Sequence, residues 1–217
     1  MAESLLSILY PRKCVLCRTI LKNDETDLCC QCRKNAPLFQ KAKSNIPFVA
    51  RWTALWYYKD DVRHSIIRYK FHHARHYAPA YGRMLGMKLL QEFPDGFDVV
   101  TWVPTGAIRK FFRGYDQAQL LAEAVASELG IGAEKLLKKI RNTPPQSGIH
   151  DAAKRRANVL AAYRVMNPQN VAGKRILLLD DVITTGATSS ECAKTLQIAG
   201  AKEVFCAAVA AASHHKK

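Results

Sequence analysis

The segment Lys174–Gly200 constrains the fold more strongly than any other part of this chain of 217 residues. Its aliphatic run, Ile176–Leu179, ends in two carboxylates, Asp180 and Asp181. A short aliphatic run preceded by basic residues indicates a buried parallel strand. The small residues of Val182–Thr188 predict a loop, and the helical spacing after them predicts a helix. This unit is typical of an open α/β sheet, which places ligands at the carboxyl ends of its strands.

The residue types in this loop suit a phosphate group. We expect the helix to begin at Ser189 and end at Ala199, so that its N-terminus offers N–H donors and a partial positive charge. Gly186 allows a close approach of the backbone or a positive φ. Asp180 and Asp181 would repel a phosphate, but they can accept hydrogen bonds from sugar hydroxyls or hold Mg²⁺ through water. The pattern predicts a phosphorylated ribose ligand. The alternative is a plain strand–turn–helix with a threonine cap and exposed aspartates.

Two common phosphate loops are absent, since the sequence contains neither G-x-x-x-x-G-K-[ST] nor G-x-G-x-x-G. The string DDVITTGAT over 180–188 instead resembles the motif with which type I phosphoribosyltransferases bind 5-phosphoribosyl-1-pyrophosphate (PRPP). In that motif two acidic residues and a T-T/S-G-x-T loop follow an apolar strand. The resemblance implies PRPP contacts from Asp180, Asp181, Val182, Ile183, Thr184, Thr185, Gly186, Ala187 and Thr188.

A formal net charge of +15 favours polyanionic partners such as nucleic acid, phosphorylated ligands or an anionic membrane surface. The alternative is a basic protein whose charge serves only its solubility. Hydrophobic residues make up 48% of the chain, which is enough for a core. No apolar run approaches the ~20 residues of a spanning helix. We expect a soluble cytoplasmic protein, with peripheral contact at the inner face of the cytoplasmic membrane as a further option.

Five of the seven cysteines lie close together, which in a reducing compartment favours a metal site over disulfide bonds. Cys14 and Cys17 form one C-x2-C pair, and Cys29 and Cys32 form the second. Two such knuckles predict a tetrahedral four-thiolate site for structural zinc, which would supply much of the folding energy of this short segment. Cys30 is left over and is expected to be free. The alternative is a set of unliganded or redox-active cysteines.

A second strand-to-loop switch is predicted after a strand at Phe97–Val103, where small residues form a turn. Three positive charges then follow: Arg109, Lys110 and Arg113. They would neutralise a pyrophosphate. The polar segment 142–158 contains prolines and a glycine, and we expect a mobile lid whose Arg155 and Arg156 swing over a bound phosphate. The alternative for this segment is an exposed loop before a short helix.

The segment Trp52–Lys59 is aromatic and predicts a strand or the arm of a hairpin. Asp60 is expected to cap a helix that runs to about Tyr69. The basic residues here are Arg63, Arg68, Lys70 and Arg75, and the aromatic ones are Trp52, Trp56, Tyr57, Tyr69 and Phe71. This combination would suit single-stranded nucleic acid through phosphate contact and base stacking. The alternative is that the aromatic side chains belong to the core.

The remaining segments complete an α/β pattern. Helices are predicted over 77–93 and over 117–129, the second capped by Asp116 and ended by Gly130. Short strands are predicted over 136–140, 161–166 and 203–212. The polar segment 33–47 is expected to be a linker with some extended structure.

In this order, the strings resemble the ComF/ComFC family of phosphoribosyltransferase-like proteins linked to natural competence. The shared elements are the four-cysteine finger, R-G-Y-D-Q at 113–117, T-P-P-Q at 143–146, R-R-A-N at 155–158 and the PRPP motif. The family implies an α/β type I phosphoribosyltransferase fold, in which helices flank a mainly parallel twisted sheet. We expect a zinc-finger module with its linker over 1–46 and a phosphoribosyltransferase-like domain over 47–217. Gly106 and Ala107 depart from the proline-containing turn usual in such proteins.

The resemblance also implies roles for single residues. The loop after the second strand binds pyrophosphate in this fold, which implies that role for Thr105–Arg109. The implied catalytic residues are Asp180, Asp181, Arg113 and Arg155, and the further PRPP contacts are Thr105, Gly106, Arg109 and Lys70. The implied cofactors are structural Zn²⁺ and Mg²⁺ bound with PRPP. The implied partners are single-stranded DNA and a helicase-like competence protein.

Three functions are compatible with these observations. The first is a PRPP-binding competence protein that handles single-stranded DNA as it enters the cytoplasm. The second is an active phosphoribosyltransferase of nucleotide metabolism, which transfers the phosphoribosyl group from Mg-PRPP to an unidentified acceptor. The third is a zinc-dependent scaffold with a vestigial PRPP site. We expect the first, and the first two are mutually compatible.

Overall fold

The computed structural model describes residues 11–40, 45–72, 74–106, 114–140 and 162–212. The strands in these ranges are β1 (Arg51–Tyr57), β2 (Val99–Trp102), β3 (Leu137–Lys139), β4 (Tyr163–Val165), β5 (Arg175–Ile183) and β6 (Glu203–Ala211). The α-helices are α1 (Cys30–Asn35), α2 (Asp60–Phe71), α3 (Ala78–Glu92), α4 (Gln117–Leu129) and α5 (Ala187–Ile198). Short 3-10 turns lie at Arg75–Tyr77 and Pro168–Asn170.

A four-stranded parallel sheet forms the centre of the fold, in the order β1-β6-β5-β2. Strand β5 lies inside this sheet and pairs with β6 on one side and with β2 on the other. Its aliphatic residues are buried on both faces, as expected for a parallel strand covered by helices. The prediction of a buried parallel strand at this position is therefore confirmed. Strands β3 and β4 form a separate antiparallel pair.

Two hydrophobic clusters cover the two faces of the sheet. Leu177 and Leu179 belong to a cluster with residues of α2, α3 and α4, which we call the α2-side cluster. Ile176 and Leu178 belong to a cluster with residues of α5, β3 and β4, which we call the α5-side cluster. Because side chains alternate along a strand, β5 contributes to both clusters. This arrangement confirms the predicted α/β class with helices on both faces of a parallel sheet.

The PRPP-like motif lies partly in the strand, contrary to expectation. Strand β5 continues through both aspartates to Ile183, because Val182 and Ile183 pair with Ala210 and Ala211 of β6. The loop is therefore limited to residues 184–186, and α5 begins at Ala187 instead of Ser189. The predictions of a loop from Val182 and of a helix from Ser189 are wrong by two residues each.

The aromatic segment forms a strand, which was one of the two alternatives predicted for it. Strand β1 pairs in parallel with β6 at the edge of the central sheet, so it is not the arm of a hairpin. Trp56 and Tyr69 are buried in the α2-side cluster, which supports the core alternative for these two rings. Asp60 is the first residue of α2 and has a positive φ of 49°. Lys59 occupies the N-cap position without a side-chain hydrogen bond, so the predicted Asp60 cap is wrong.

Several other elements are confirmed. Asp116 caps α4 by accepting a hydrogen bond from the backbone N–H of Gln119, and Gly130 ends this helix with a positive φ of 67°. Strands β2, β3, β4 and β6 and helix α3 lie where they were expected. Within the segment expected to be a linker, α1 extends to Asn35 and Leu38 forms an isolated bridge with Trp56. None of the helices in the described ranges is both long and apolar enough to cross a bilayer.

Candidate functional site

An ion pair joins α2 to the acidic end of β5. Lys70, near the end of α2, places its Nζ atom 2.8 Å from Oδ1 of Asp181. Both side chains are largely shielded from water, with exposed fractions of 22% and 14%. Burial lowers the pKa of Lys70, but the charge of Asp181, its hydrogen bond and the charge of Asp180 together outweigh this effect, and the net pKa is raised. Lys70 is therefore held as a cation beside the carboxylates, as its predicted place in the site requires.

Asp180 differs electrostatically from its neighbour. Its Oδ1 atom accepts a hydrogen bond from the backbone N–H of Asp181 at 2.8 Å. Burial raises the pKa of Asp180 well above its usual range, and the charge of Asp181 raises it further, whereas Lys70 acts in the opposite direction. One cation lies beside two adjacent carboxyl groups, so carboxyl oxygens stay available for a ligand. A divalent cation could bind these oxygens, and sugar hydroxyls could donate hydrogen bonds to them.

The loop after β5 leads into a helix N-terminus that suits an anion. Gly186 occupies the N-cap position with a φ of 73°, and α5, whose residues are all described, has no acidic residue in its first turn. Gly186 has no side chain with which to cap the helix, and the backbone N–H of Ala187 makes a long contact of 3.4 Å with Oγ1 of Thr185. A helix start without a side-chain cap or an acidic residue in its first turn favours a bound anion. The loop also contains Thr184, and Thr188 lies in the first turn.

A residue that the sequence analysis did not single out packs against this loop. Ile46 is buried in the α5-side cluster. A Cβ atom on Gly186 would lie 2.8 Å from Cγ1 of Ile46, closer than real Cβ contacts. Glycine is therefore required at this position for two reasons, the positive φ and the close approach of Ile46.

The loop after β2 is fixed by the cap of α4. The backbone N–H and the hydroxyl of Thr105 donate hydrogen bonds of 3.1 Å to the two carboxylate oxygens of Asp116. The same carboxylate caps α4, so one buried aspartate holds both the loop and the helix. Gly106 follows Thr105 and is the last described residue of this loop. The predicted contacts of Arg109 and Arg113, and those of Arg155 and of the lid, lie outside the described residues.

The end of α2 is held by the residues on either side of Asp116. The hydroxyl of Tyr115 donates a hydrogen bond to the backbone carbonyl of Tyr69. The side-chain amide of Gln117 donates to the carbonyl of Lys70 at 3.2 Å. The hydroxyl of Tyr69 donates in return to the carbonyl of Gln117 at 2.7 Å. These bonds give the G-Y-D-Q part of the family string a physical role, since they join the loop after β2 to the helix that carries Lys70.

The four paired cysteines form a compact cluster beside α2. The sulfur atoms of Cys14, Cys17, Cys29 and Cys32 all lie within 4.8 Å of one another. The Sγ atoms of Cys17 and Cys29 are 3.6 Å apart, and a tetrahedral zinc site with bonds of about 2.3 Å requires roughly 3.8 Å. Burial raises the pKa of Cys29 and Cys32, which is unfavourable for thiolates unless a cation is nearby. The cluster therefore fits a soft metal ion, and Cys30 is exposed outside it.

Glu25 organises the loop between the two cysteine knuckles. Its carboxylate accepts hydrogen bonds from the backbone N–H groups of Lys22 and Cys30. These backbone bonds lower the pKa of Glu25. An acidic residue in a polar loop gives no local sign of such a role, which explains why the sequence analysis missed it.

Several known proteins and one family model are similar to parts of this chain. A family model described as "Phosphoribosyl transferase domain" matches residues 116–217, which include β5, its loop and α5. Competence protein F of Haemophilus influenzae is 36% identical over 104 residues, which are 47% of this chain and 45% of that protein. The DNA utilization protein YhgH of Escherichia coli K12 is 27% identical over 204 residues, which are 88% of this chain and 86% of that protein. These matches support a phosphoribosyltransferase-like protein of the ComF family.

These matches cover only parts of the chain or of its relatives, which limits the properties that can be transferred from the relatives to this chain. The alignments with competence protein F and with YhgH of Salmonella typhi span about half the length of those relatives. A solved structure of glutamine PRPP amidotransferase from B. subtilis is 30% identical, covers 62% of this chain and 26% of that chain, and has a TM-score of 0.41. The family model begins at Asp116, so Lys70, Thr105 and the cysteine cluster lie outside it. Their place in the site rests on the contacts above.

We expect Gly186→Ala to destabilise the protein more than Gly173→Ala. Both glycines have a φ of 73°, but nothing lies within 4 Å of a Cβ on Gly173. The control should lose about 1–2 kcal/mol of unfolding free energy through backbone strain. Gly186→Ala should lose ~1–3 kcal/mol more, because its methyl group overlaps Ile46.

Denaturant unfolding of the two variants measures this difference. In an Ile46→Ala background, Gly186→Ala should lose its additional cost, because the overlapping atoms are gone. Equal destabilisation of the two glycine variants in the wild-type background would contradict the steric role of Ile46.

Proposed function

We propose that this protein binds PRPP with Mg²⁺ at the carboxyl ends of β2 and β5, and that it acts on DNA in natural competence. The observation that carries the first part is the Lys70–Asp181 ion pair beside the acid-free N-terminus of α5. Anionic and cationic subsites lie next to each other there. PRPP has matching parts, because its 5-phosphate is anionic and its ribose hydroxyls are donors for carboxylates.

Each part of the site has a distinct task in this proposal. The loop of Thr184–Gly186 and the start of α5 receive the 5-phosphate through backbone N–H groups. Asp180 and Asp181 accept hydrogen bonds from the ribose hydroxyls or hold Mg²⁺ through water. Lys70 and the loop of Thr105 and Gly106 face the pyrophosphate, with Arg109 assigned to the same group by family resemblance. Mg²⁺ bound with PRPP would neutralise part of the pyrophosphate charge.

Asp181→Asn should weaken the binding of Mg-PRPP. The variant removes a carboxylate from the site and leaves Lys70 without its partner, so a loss of about 10–100-fold is expected. Isothermal titration of the full chain with Mg-PRPP measures this change. Asp61→Asn is the matched control, since Asp61 is an exposed residue of α2 and the charge change is the same. An equal effect of both substitutions, or no binding to the wild type, would contradict the proposed site.

A second candidate is phosphoribosyl transfer itself. It is favoured by the presence of both carboxylates, with Lys70 and Thr105 on the neighbouring elements. In this reaction an acceptor attacks C1 of PRPP, the bond from C1 to the pyrophosphate oxygen breaks, and pyrophosphate leaves. The protein would contribute mainly by electrostatic stabilisation of the departing charge.

A panel of nucleobases and other acceptors tests for transfer. We expect release of pyrophosphate from Mg-PRPP with at least one acceptor, and its loss in the Asp180→Asn/Asp181→Asn double variant. Enzyme-coupled detection of pyrophosphate measures both. Binding of PRPP without release across the panel would limit the site to ligand binding.

The proposed role in DNA handling is supported by the positive charge of the chain and by its similarity to competence and DNA utilization proteins. The chain has a formal net charge of +15, and Phe71, which follows Lys70 at the end of α2, is 59% exposed. Competence protein F and the DNA utilization proteins are similar to this chain. Exposed aromatic rings within basic surfaces bind single strands by stacking, with phosphate contacts from the cations. A helicase-like partner and a peripheral membrane contact rest on the family resemblance alone.

Phe71→Ala should weaken the binding of labelled single-stranded DNA by about 5–100-fold, because one stacking contact is lost. Leu90→Ala is the control, since Leu90 is 57% exposed on α3 and is not a stacking residue. Fluorescence anisotropy at two salt concentrations, with and without Mg-PRPP, measures affinity and its salt dependence. Binding that is insensitive to salt and to Phe71→Ala would contradict this role.

We further propose that the cysteine cluster holds structural zinc. Purified protein should contain about one zinc per chain, and Cys17→Ser should lose the metal and lower the unfolding temperature, because the site loses a thiolate ligand. Cys30→Ser should retain the metal, since Cys30 lies outside the cluster. Elemental analysis together with thermal unfolding tests both. Loss of metal in Cys30→Ser with retention in Cys17→Ser would overturn the assignment.

A further inference from the structure

Helix α2 makes polar contacts with the first cysteine knuckle. The hydroxyl of Ser65 donates a hydrogen bond to the backbone carbonyl of Val15. The guanidinium of Arg68 donates to the carbonyl of Val15 at 3.2 Å and to that of Leu16. Val15 and Leu16 are the two residues between the paired cysteines of this knuckle, and both are buried. The side chains of α2 thus bind the backbone between two of the cysteines in the cluster.

These two side chains are themselves held in place. The Nε atom of Arg68 donates to the hydroxyl of Tyr77 at 3.2 Å. The Ser65 hydroxyl lies 2.6 Å from the hydroxyl of Tyr81, and both residues are fully buried. A buried carbonyl that loses its donor is costly, because no water replaces it. The contact is therefore a specific one, in which displacement of either partner leaves polar groups unpaired.

Lys70 lies in the same helical turn as Arg68. Two residues correspond to about 3 Å along a helix axis, and the backbone N–H of His72 closes this last turn by bonding to the carbonyl of Arg68 at 2.9 Å. Lys70 then reaches Asp181 of the PRPP-like motif. One turn of α2 thus contacts the cysteine knuckle through Arg68 and the acidic pair through Lys70.

We propose that Ser65 and Arg68 are positioning residues that couple the metal-bound knuckle to the Lys70–Asp181 pair. The proposal deepens the proposed function, on which its ligand-dependent part rests. A metal that fixes the knuckle fixes the carbonyls of Val15 and Leu16, and these fix the last turn of α2. Coupling between two sites is reciprocal for binding free energies. Occupancy of the PRPP site should therefore strengthen metal retention, as metal retention strengthens PRPP binding.

The proposed coupling predicts that Arg68 determines how metal retention responds to ligand. Packing of the finger against α2 alone does not predict this. If α2 only supports the finger, Arg68→Gln changes metal retention but leaves the response to ligand unchanged. If Arg68 transmits position, the substitution removes the response. Arg63→Gln is the matched control, because Arg63 is an exposed arginine of the same helix and the change in charge is equal. Ser65→Ala is a second, smaller test, which removes one donor to Val15.

The experiment follows transfer of zinc from the full-length, zinc-loaded protein to a chromophoric chelator, with and without Mg-PRPP. In the wild type and in Arg63→Gln, Mg-PRPP should slow the transfer by about ten-fold. In Arg68→Gln the transfer should be faster without ligand, and Mg-PRPP should change it less than two-fold. Hydrogen exchange over 60–72, measured before chelation, should rise in Arg68→Gln and not in Arg63→Gln.

A measurement of zinc transfer without PRPP distinguishes absence of the proposed coupling from absence of PRPP binding. Asp181→Asn breaks the ion pair without PRPP, and it should accelerate zinc transfer in the wild-type background but not in Arg68→Gln. If the wild type binds no PRPP, the proposed function fails and this measurement alone decides the coupling. Equal slowing by Mg-PRPP in the wild type and Arg68→Gln, or unchanged zinc transfer in Asp181→Asn, would overturn it. If Arg68→Gln does not fold, Ser65→Ala takes its place in each comparison.

Discussion

The Lys70–Asp181 ion pair is the contact on which the rest of the site depends. It forms only because β5 lies inside the parallel sheet with α2 packed on one face. Burial at this shielded strand end raises the pKa of Asp180, and repulsion from the adjacent Asp181 raises it further. Lys70 acts in the opposite direction on Asp180. Burial lowers the pKa of Lys70 itself, but the combined attraction of Asp181 and Asp180 raises it. A shielded cation of this kind thus compensates part of the cost of placing two carboxyl groups at the end of β5.

A cation beside two carboxylates also bears on which ligand the proposed site would prefer. A simple phosphate would gain from the N-terminus of α5 but would meet Asp180 and Asp181 at the neighbouring strand end. A ligand that brings hydroxyls or a metal ion to these carboxylates avoids that repulsion. The geometry therefore favours a phosphorylated sugar over an isolated anion, and this preference follows from where β5 ends relative to α5.

The sequence predicted local features well and long-range contacts poorly. The buried parallel strand, the Asp116 cap and the cysteine pairs follow from short patterns, and the structure bears them out. The predicted end of β5 came two residues too early, because two aspartates usually end a strand. Here the strand continues, since its last residues pair with Ala210 and Ala211 of β6. The partners of Lys70, Ile46 and Arg68 lie far away in the sequence, and no local pattern marks such pairs.

The cysteine finger shares the core of the phosphoribosyltransferase-like domain, which bears on how so small a segment is stabilised. Leu16 and Cys32 are buried in the same cluster as Ile66 of α2 and Leu85 of α3. The boundary at residue 46 stays a prediction, but the apolar surface of the finger is covered from the other side of it. A metal would then need to join only the two knuckles, since packing buries part of the finger and the bonds from α2 hold the backbone of the first knuckle. The finger therefore packs against the rest of the domain next to α2. The proposed coupling between the cysteine cluster and the acidic pair runs through that single helix.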